Sequence, residues 1–313
     1  MHPDEVKNLA KVARSWRLST RTVELGLRTL VMGVVNITPD SFSDGGLFVD
    51  AESAIAHGLQ LLDEGADLLD LGAESTRPGV RTGGSATAPQ VSADEEQARL
   101  LPVLEGIRRA RPDVIVSVDT YKAATARVAL EAGAEIINDV SGLLWDSEMA
   151  LICAQAGCGV VLMHTRGRPE KWRNQPQLAP DALLALVCSG LEISRAKAAA
   201  AGIARESIVL DPGYGFGKQG DENYALLARQ AELLALGCPL LAGVSRKSFL
   251  GQTLAPLHGG NIAPVEARTT ASIAAMVAAI LRGASIVRVH NVRPAVEAAR
   301  IADEILRAAP FAS

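Results

Sequence analysis

The chain is poor in cysteine, has no long apolar run and carries no block of like charge. Its four cysteines among 313 residues, Cys153, Cys158, Cys188 and Cys238, lie in apolar segments without a Cys-x-x-Cys spacing. That argues against a disulfide framework or a zinc ribbon and predicts buried thiols in a reducing compartment. No segment reaches the roughly 20 uninterrupted apolar residues that a membrane helix needs. Residues 1–16, MHPDEVKNLAKVARSW, are charged throughout and lack the apolar core of a secretory signal, so the expected location is cytoplasmic. Lysine and arginine are dispersed, and the formal net charge is −4 with a pI near 5.8. Such a chain has no general field for nucleic acid or anionic lipid, so any anion must be bound locally.

What is present is an ordinary globular composition, 48% hydrophobic and 21% charged, in a length that allows one large domain or two. Residues 31–46 read VMGVVNITPDSFSDGG, an apolar run that stops at Asn36 and turns into polar loop. A short apolar run bounded by turn residues is the pattern of a strand buried on both faces. The pattern repeats. Eight strands are expected, at residues 30–35, 67–71, 114–118, 135–140, 159–163, 207–210, 239–244 and 285–289, with amphipathic helical segments between them. The pairs Gly65-Ala66, Gly133-Ala134 and Gly283-Ala284 stand where helix C-caps belong. Residues 16–30 have the composition of a short hairpin that could plug the bottom of a barrel. Alternating strands and helices imply parallel pairing with right-handed crossovers. The expected fold is α/β, a (β/α)8 TIM barrel with a short N-terminal hairpin extension and long loops after the first two barrel strands, and its active site belongs at the C-terminal strand ends. The expected division is 1–28 as the extension and 29–313 as the barrel. A doubly wound open sheet competes, but no Gly-x-Gly-x-x-Gly follows a first strand.

Every expected strand delivers a polar group at its C-terminal end: Asn36; Asp70 with Glu74, Ser75, Thr76 and Arg77; Asp119; Asn138 and Asp139; His164; Asp211; Ser245, Arg246 and Lys247; Arg288, His290 and Asn291. Taken singly, Asp and Asn commonly cap helices or shape turns. Eight such exits on one rim point to a shared small-molecule site. Asp119, Asn138 and Asp211 suit a flat ligand with an N–H edge, such as a guanidine-like pyrimidine, because a carboxylate accepts two parallel donors from it. Arg288, His290 and Asn36 lie near the junction of the first and last strands and suit a phosphate or diphosphate, with metal help possible from oxygen ligands in the first loop. The alternative for Arg288 is a salt bridge to a rim carboxylate. His164 fits a structural role as well as a functional one. Lys247 stands at a helix N-terminus, where the dipole disfavours a cation, which suggests a partner in the site. The long loop 74–92 reads either as a lid or as a surface excursion.

The blocks MGVVNITPDSFSDGG, DLGAESTRPG, SVDTYK, INDVSG, LDPGYGFGK, GVSRKSFLG and RVHN resemble those of the dihydropteroate synthase family of pterin-binding barrels, in that family's order. The resemblance implies a transferase of folate biosynthesis and a sulfonamide target, which joins 6-hydroxymethyl-7,8-dihydropterin diphosphate to p-aminobenzoate. It implies that Thr76, Asp119, Asn138, Asp211 and Lys247 contact the pterin substrate and that Arg288 and His290 hold its diphosphate. Lys247, Arg288 and His290 would then be the catalytic set. It further implies that Asn36 helps bind Mg2+, that Phe42, Arg77, Pro78 and Ser248 shape the p-aminobenzoate site, and that the protein is a homodimer. The departures are a longer second loop, Asn291 where the family usually has Asp, and Trp172 where Met is common.

Two other readings share part of this pattern. A pterin-binding methyltransferase domain would need Asp119, Asn138 and Asp211 but not the Ser-Thr-Arg-Pro and Ser-Arg-Lys-Ser blocks. A catalytically silent pterin-binding homologue would have no need of intact Asn36, Lys247, Arg288 and His290.

Overall fold

The computed structural model describes residues 15–37, 47–74 and 91–308. Phe42, Thr76, Arg77, Pro78 and most of the long second loop lie outside the described residues. The chain opens with an antiparallel hairpin, β1 (Ser15–Arg17) and β2 (Thr22–Glu24). Eight parallel strands follow and close on themselves: β3 (Leu30–Asn36), β4 (Leu68–Gly72), β5 (Ile115–Asp119), β6 (Ile136–Asp139), β7 (Gly159–Met163), β8 (Ile208–Asp211), β9 (Leu240–Ala242) and β10 (Ala284–Val289). β10 pairs in parallel with β3, so the first and last barrel strands are neighbours. The TIM barrel expected from the alternation of runs is the observed fold.

The helices are α1 (Leu47–Asp63), α2 (Ala93–Ala110), α3 (Ala123–Glu131), α4 (Met149–Ala156), α5 (Pro180–Ala200), α6 (Gly220–Ala228), α7 (Ser248–Thr253), α8 (Thr269–Leu281) and α9 (Val292–Ala308). Gly65, Gly133 and Gly283 follow helices with φ of +105°, +97° and +91°, the left-handed backbone expected of the Gly-Ala pairs. One expected helix, 223–236, is divided. α6 ends at Ala228, and Gln230–Leu236 continues as a 3₁₀ segment. Buried Gln230 opens the 3₁₀ segment, where it accepts from Tyr214 Oη at 2.7 Å and donates to the Ala279 carbonyl at 3.0 Å. These tertiary hydrogen bonds accompany the break in the α-helical register.

Side chains alternate inward and outward along each strand, and this period of two builds the barrel interior in layers. The lower layer is apolar: Met32, Leu68, Ile136, Val161, Val209, Leu241 and Ile286 pack with Trp16, Leu18 and Leu25 of the hairpin segment. The hairpin therefore plugs the barrel floor, and Trp16 Nε1 donates to the Ser207 carbonyl at 3.0 Å to satisfy its buried N–H. Two residues further along five of the strands, the inward positions become polar. Leu68 is followed by Asp70, Ile115 by Ser117, Ile136 by Asn138, Val209 by Asp211 and Ile286 by Arg288. Burial against the floor thus fixes the register that presents these groups to the upper end.

Candidate active site

Asp70 lies at the centre of the polar layer and is 0% exposed. Its Oδ1 accepts from Ser117 Oγ at 2.6 Å, and its Oδ2 accepts from Asn138 Nδ2 at 3.0 Å and from Arg288 Nε at 2.6 Å. Arg288 also reaches Asp119, with Nη2 2.9 Å from Oδ2. The rim salt bridge considered for Arg288 is therefore present. Burial opposes its charge, but Asp70 and Asp119 outweigh that and hold the guanidinium pKa above its ordinary value. For Asp119, burial raises the pKa to about 7, with Arg288 opposing the rise and the nearby Asp70 and Glu96 charges adding to it.

Asp211 ends β8 and accepts from the Gly213 amide at 2.7 Å. Gly213 has φ +70°, and a Cβ there would fall 1.9 Å from the His164 carbonyl oxygen, so the tight turn beside the carboxylate requires glycine. Burial raises the Asp211 pKa, against the pull of the Gly213 amide, Lys247 and Lys218. Lys247 precedes α7 and places Nζ 3.8 Å from the centroid of the Phe216 ring. Its charge acts on both Asp119 and Asp211. Phe216 belongs to an apolar cluster with Tyr121, Val140, Met163 and Trp145, all from the upper ends of the strands and their loops. Acceptors, an amide, a cation over an aromatic face and an apolar wall thus share the upper end of the barrel, a set of groups whose chemistry suits a flat polar heterocycle.

The β3–β10 seam carries the remaining groups. Asn36 ends β3, half-buried and in register with Gly72. His290 follows β10, with Nδ1 3.0 Å from Ser245 Oγ and its backbone N–H directed at the same oxygen at 3.3 Å. Arg246, with φ +59°, donates through Nε and Nη2 to Asn291 Oδ1 at 3.2 and 2.9 Å. Its amide donates to Ser272 Oγ, and its carbonyl accepts from Arg268. The strained conformation is held from α8 and from the β10 exit together. Ser248 opens α7 and is exposed at this rim.

His164 is buried against α5 at Gly190, burial pushes its pKa well below the ordinary value, and Nδ1 has no hydrogen-bond partner. Its carbonyl, together with those of Gly213 and Phe216, accepts from Lys218 Nζ at 3.2, 2.8 and 3.4 Å. The His164 ring is thus packed into the fold without the Nδ1 hydrogen bond that a structural hydrogen-bonding role would give it. Sequence reasoning overlooked Lys218, Ser117 and the wall of Val140, Met163 and Phe216, and it noted Asp70 without giving it a place in the site. The available signal was the inward phase of each strand, counted two residues on from its floor residue. At the root of the second loop, Lys122 Nζ binds Glu74 at 2.6 Å and Glu96 of α2 at 3.0 Å.

Among the described residues no group of three or more His, Cys, Asp or Glu is placed to hold a metal ion. Asn36 offers one hard amide oxygen beside the β10 exit. That fits Mg2+, which keeps several waters and is bound through a few oxygens plus substrate phosphates rather than in an all-protein cage.

A family model described as pterin binding enzyme matches residues 32–290. A dihydropteroate synthase of Mycobacterium leprae is 43% identical over 282 residues, covering 90% of this chain and 94% of that protein. The chain belongs to the dihydropteroate synthase family of pterin-binding enzymes. Two solved structures of that family superpose with comparable closeness. The Yersinia pestis enzyme in a sulfonamide drug complex has a TM-score of 0.81 at 40% identity, covering 93% of this chain and 100% of that one. The Xanthomonas albilineans enzyme with 4-aminobenzoic acid has a TM-score of 0.80 at 40% identity, covering 95% and 100%.

Proposed function

We infer that this chain condenses 6-hydroxymethyl-7,8-dihydropterin diphosphate with p-aminobenzoate, giving 7,8-dihydropteroate and diphosphate. The observation that carries this is the convergence of Asp119, Asn138 and Asp211 beside the Phe216 and Met163 wall, with Arg288 and His290 at the adjoining seam. Family membership at about this identity supports the same activity. The carboxylates accept the guanidine-like N–H edge of the pterin, and Asn138, whose amide nitrogen is engaged by Asp70, presents its oxygen as a further acceptor.

In the reaction the bond between the exocyclic methylene carbon and the diphosphate oxygen breaks, and its electron pair leaves with diphosphate. The electron-rich dihydropterin stabilises the cation left on the methylene carbon, so cleavage runs ahead of attack. Arg288 and His290 stabilise charge growing on the departing group, a contribution that counts most where water is scarce. Ser245 orients the His290 ring through Nδ1, which fixes the imidazole at the seam assigned to the diphosphate. The p-aminobenzoate nitrogen then forms the C–N bond and gives up one proton, with no enzyme nucleophile. Asn36 would help hold Mg2+, which when bound would supply Lewis-acid neutralisation of charge on the leaving group. Phe42, Thr76, Arg77, Pro78 and Ser248 are assigned to substrate contact by their positions in the family's blocks. A sulfonamide is expected to compete with p-aminobenzoate, as the complex of the Yersinia pestis relative suggests.

A cytoplasmic location accords with the free cysteines and with the absence, among the described residues, of any helix long and apolar enough to cross a membrane. A homodimer accords with the outward apolar side chains Ile301 and Ile305 of α9 and the half-buried Ile273 and Val277 of α8. Light scattering checks the mass. Purified protein supplied with both substrates should release diphosphate and dihydropteroate in equal amounts, and neither substrate alone should suffice. A methyltransferase domain or a silent homologue would form neither product.

A further inference from the structure

We propose that Asp70 is a positioning residue that keeps Arg288 in the site by its Nε, so that when a pterin N–H edge takes Asp119 the released Nη2 turns to the diphosphate. This rests on the reading of the site given above and adds to it a residue and a coupling that the reading does not contain. Arg288 is at present shared: Nε on Asp70 at 2.6 Å and Nη2 on Asp119 at 2.9 Å. A pterin edge that takes both oxygens of Asp119 would share Oδ2 with the guanidinium and weaken the guanidinium's hold there. Asp70 does not face the same competition. It is fully buried, its Oδ1 is committed to Ser117, and its Oδ2 takes Arg288 and Asn138 together. A buried carboxylate with these three donors would be costly to strip of its cation. Arg288 therefore pivots about Nε rather than departing, and Asn138 is held to the same anchor.

The consequence is positive coupling between the two halves of the substrate. Filling Asp119 frees a cation for the diphosphate, and by linkage diphosphate favours pterin to the same extent. The test is calorimetry with pterin lacking a 6-substituent and with inorganic diphosphate, each titrated alone and in the presence of the other. In the parent protein saturating pterin should tighten diphosphate about 10-fold, within the usual range of such couplings. In Asp70→Asn the coupling should fall below about 2-fold, because the charge that retains Arg288 is gone. Ser117→Ala, which loosens Asp70 without removing its charge, should give an intermediate value and serves if Asp70→Asn does not fold. A purely structural role for Asp70 would lower the melting temperature and leave the coupling in folded protein unchanged. Independent binding in the parent, or undiminished coupling in the folded variants, overturns the proposal. Failure of the parent to make dihydropteroate while coupling is intact would count against the reaction and leave the role of Asp70 standing.

Discussion

Arg288 Nη2 donates to Asp119 Oδ2 at 2.9 Å, so the cation assigned to the leaving group rests on the carboxylate assigned to the heterocycle. In the coupling proposed above, that contact is the one exchanged when the diphosphate is held. The arrangement compensates the buried Asp70 and the half-buried Asp119 with a single cation.

Arg288→Ala removes both functions. Diphosphate release in the presence of p-aminobenzoate should fall about 10²–10³-fold, the usual loss for one donor to developing charge. Stability should fall by about 3–5 kcal/mol, because Asp70 would be left as a buried charge with only neutral donors. Stopped assays of diphosphate release and urea denaturation check the two effects separately. Release at the parent rate would remove Arg288 from the chemistry.

Asp119 ties pterin affinity to pH. Burial raises its pKa to about 7, and only the carboxylate form accepts two N–H donors. Affinity for a pterin nucleus should therefore rise as pH increases through about 7 and level off above it. Asp119→Asn should bind weakly and without that rise. Calorimetric titrations from pH 6 to 8.5 in buffers of matched ionic strength would show it, and a flat parent profile would exclude Asp119 as the titrating acceptor.

Much of this was legible in residues alone. The barrel could be read because its strands are fully buried runs and its helices end at Gly65, Gly133 and Gly283, whose backbone conformations side chains disfavour. Asp119, Asn138, Asp211 and Arg288 stood out because each follows directly on an apolar run, His290 because it lies two residues beyond Arg288, and Lys247 because it stands at a helix N-terminus. Asp70 as a hub could not, since its importance lies in contacts with Ser117, Asn138 and Arg288, which are 47, 68 and 218 residues away in sequence. The wall of Val140, Met163 and Phe216 was equally hidden, because an apolar residue at a strand end looks the same in sequence whether it faces a helix or a ligand. The pairing of Arg246 with Asn291 likewise depends on strand order around the closed barrel.

The hairpin that closes the floor gives a prediction about stability without chemistry. Trp16 is 1% exposed and borders a cavity of about 230 Å³ lined also by Leu18, Leu30, Leu68, Ile115 and Ile136. Trp16→Ala would enlarge that space and leave the Ser207 carbonyl without its indole donor. The expected cost is about 3–5 kcal/mol, seen as a lower denaturation midpoint. Turnover of the molecules still folded should stay close to the parent, because the polar layer stands on the opposite end of the barrel. A normal midpoint would mean that the hairpin is not part of the folded core.

Lys218 offers a test of stability against pH. It is 4% exposed, and burial lowers its pKa from 10.5 to about 7, with Asp211 opposing the shift. Between about 7 and 10.5 the unfolded chain binds the proton that the folded chain releases, so this residue's contribution to stability rises with pH across that window and is lost as pH falls through about 7. Lys218→Met deprives the carbonyls of His164, Gly213 and Phe216 of a shared donor, at a cost of about 1–3 kcal/mol. The difference in unfolding free energy between parent and variant should widen from pH 7 to pH 9.5 if burial sets the charge of Lys218. Urea denaturation at several pH values over that interval measures it directly. A difference that stayed constant would show that the ammonium keeps its ordinary pKa inside the turn, with Asp211 compensating it in full.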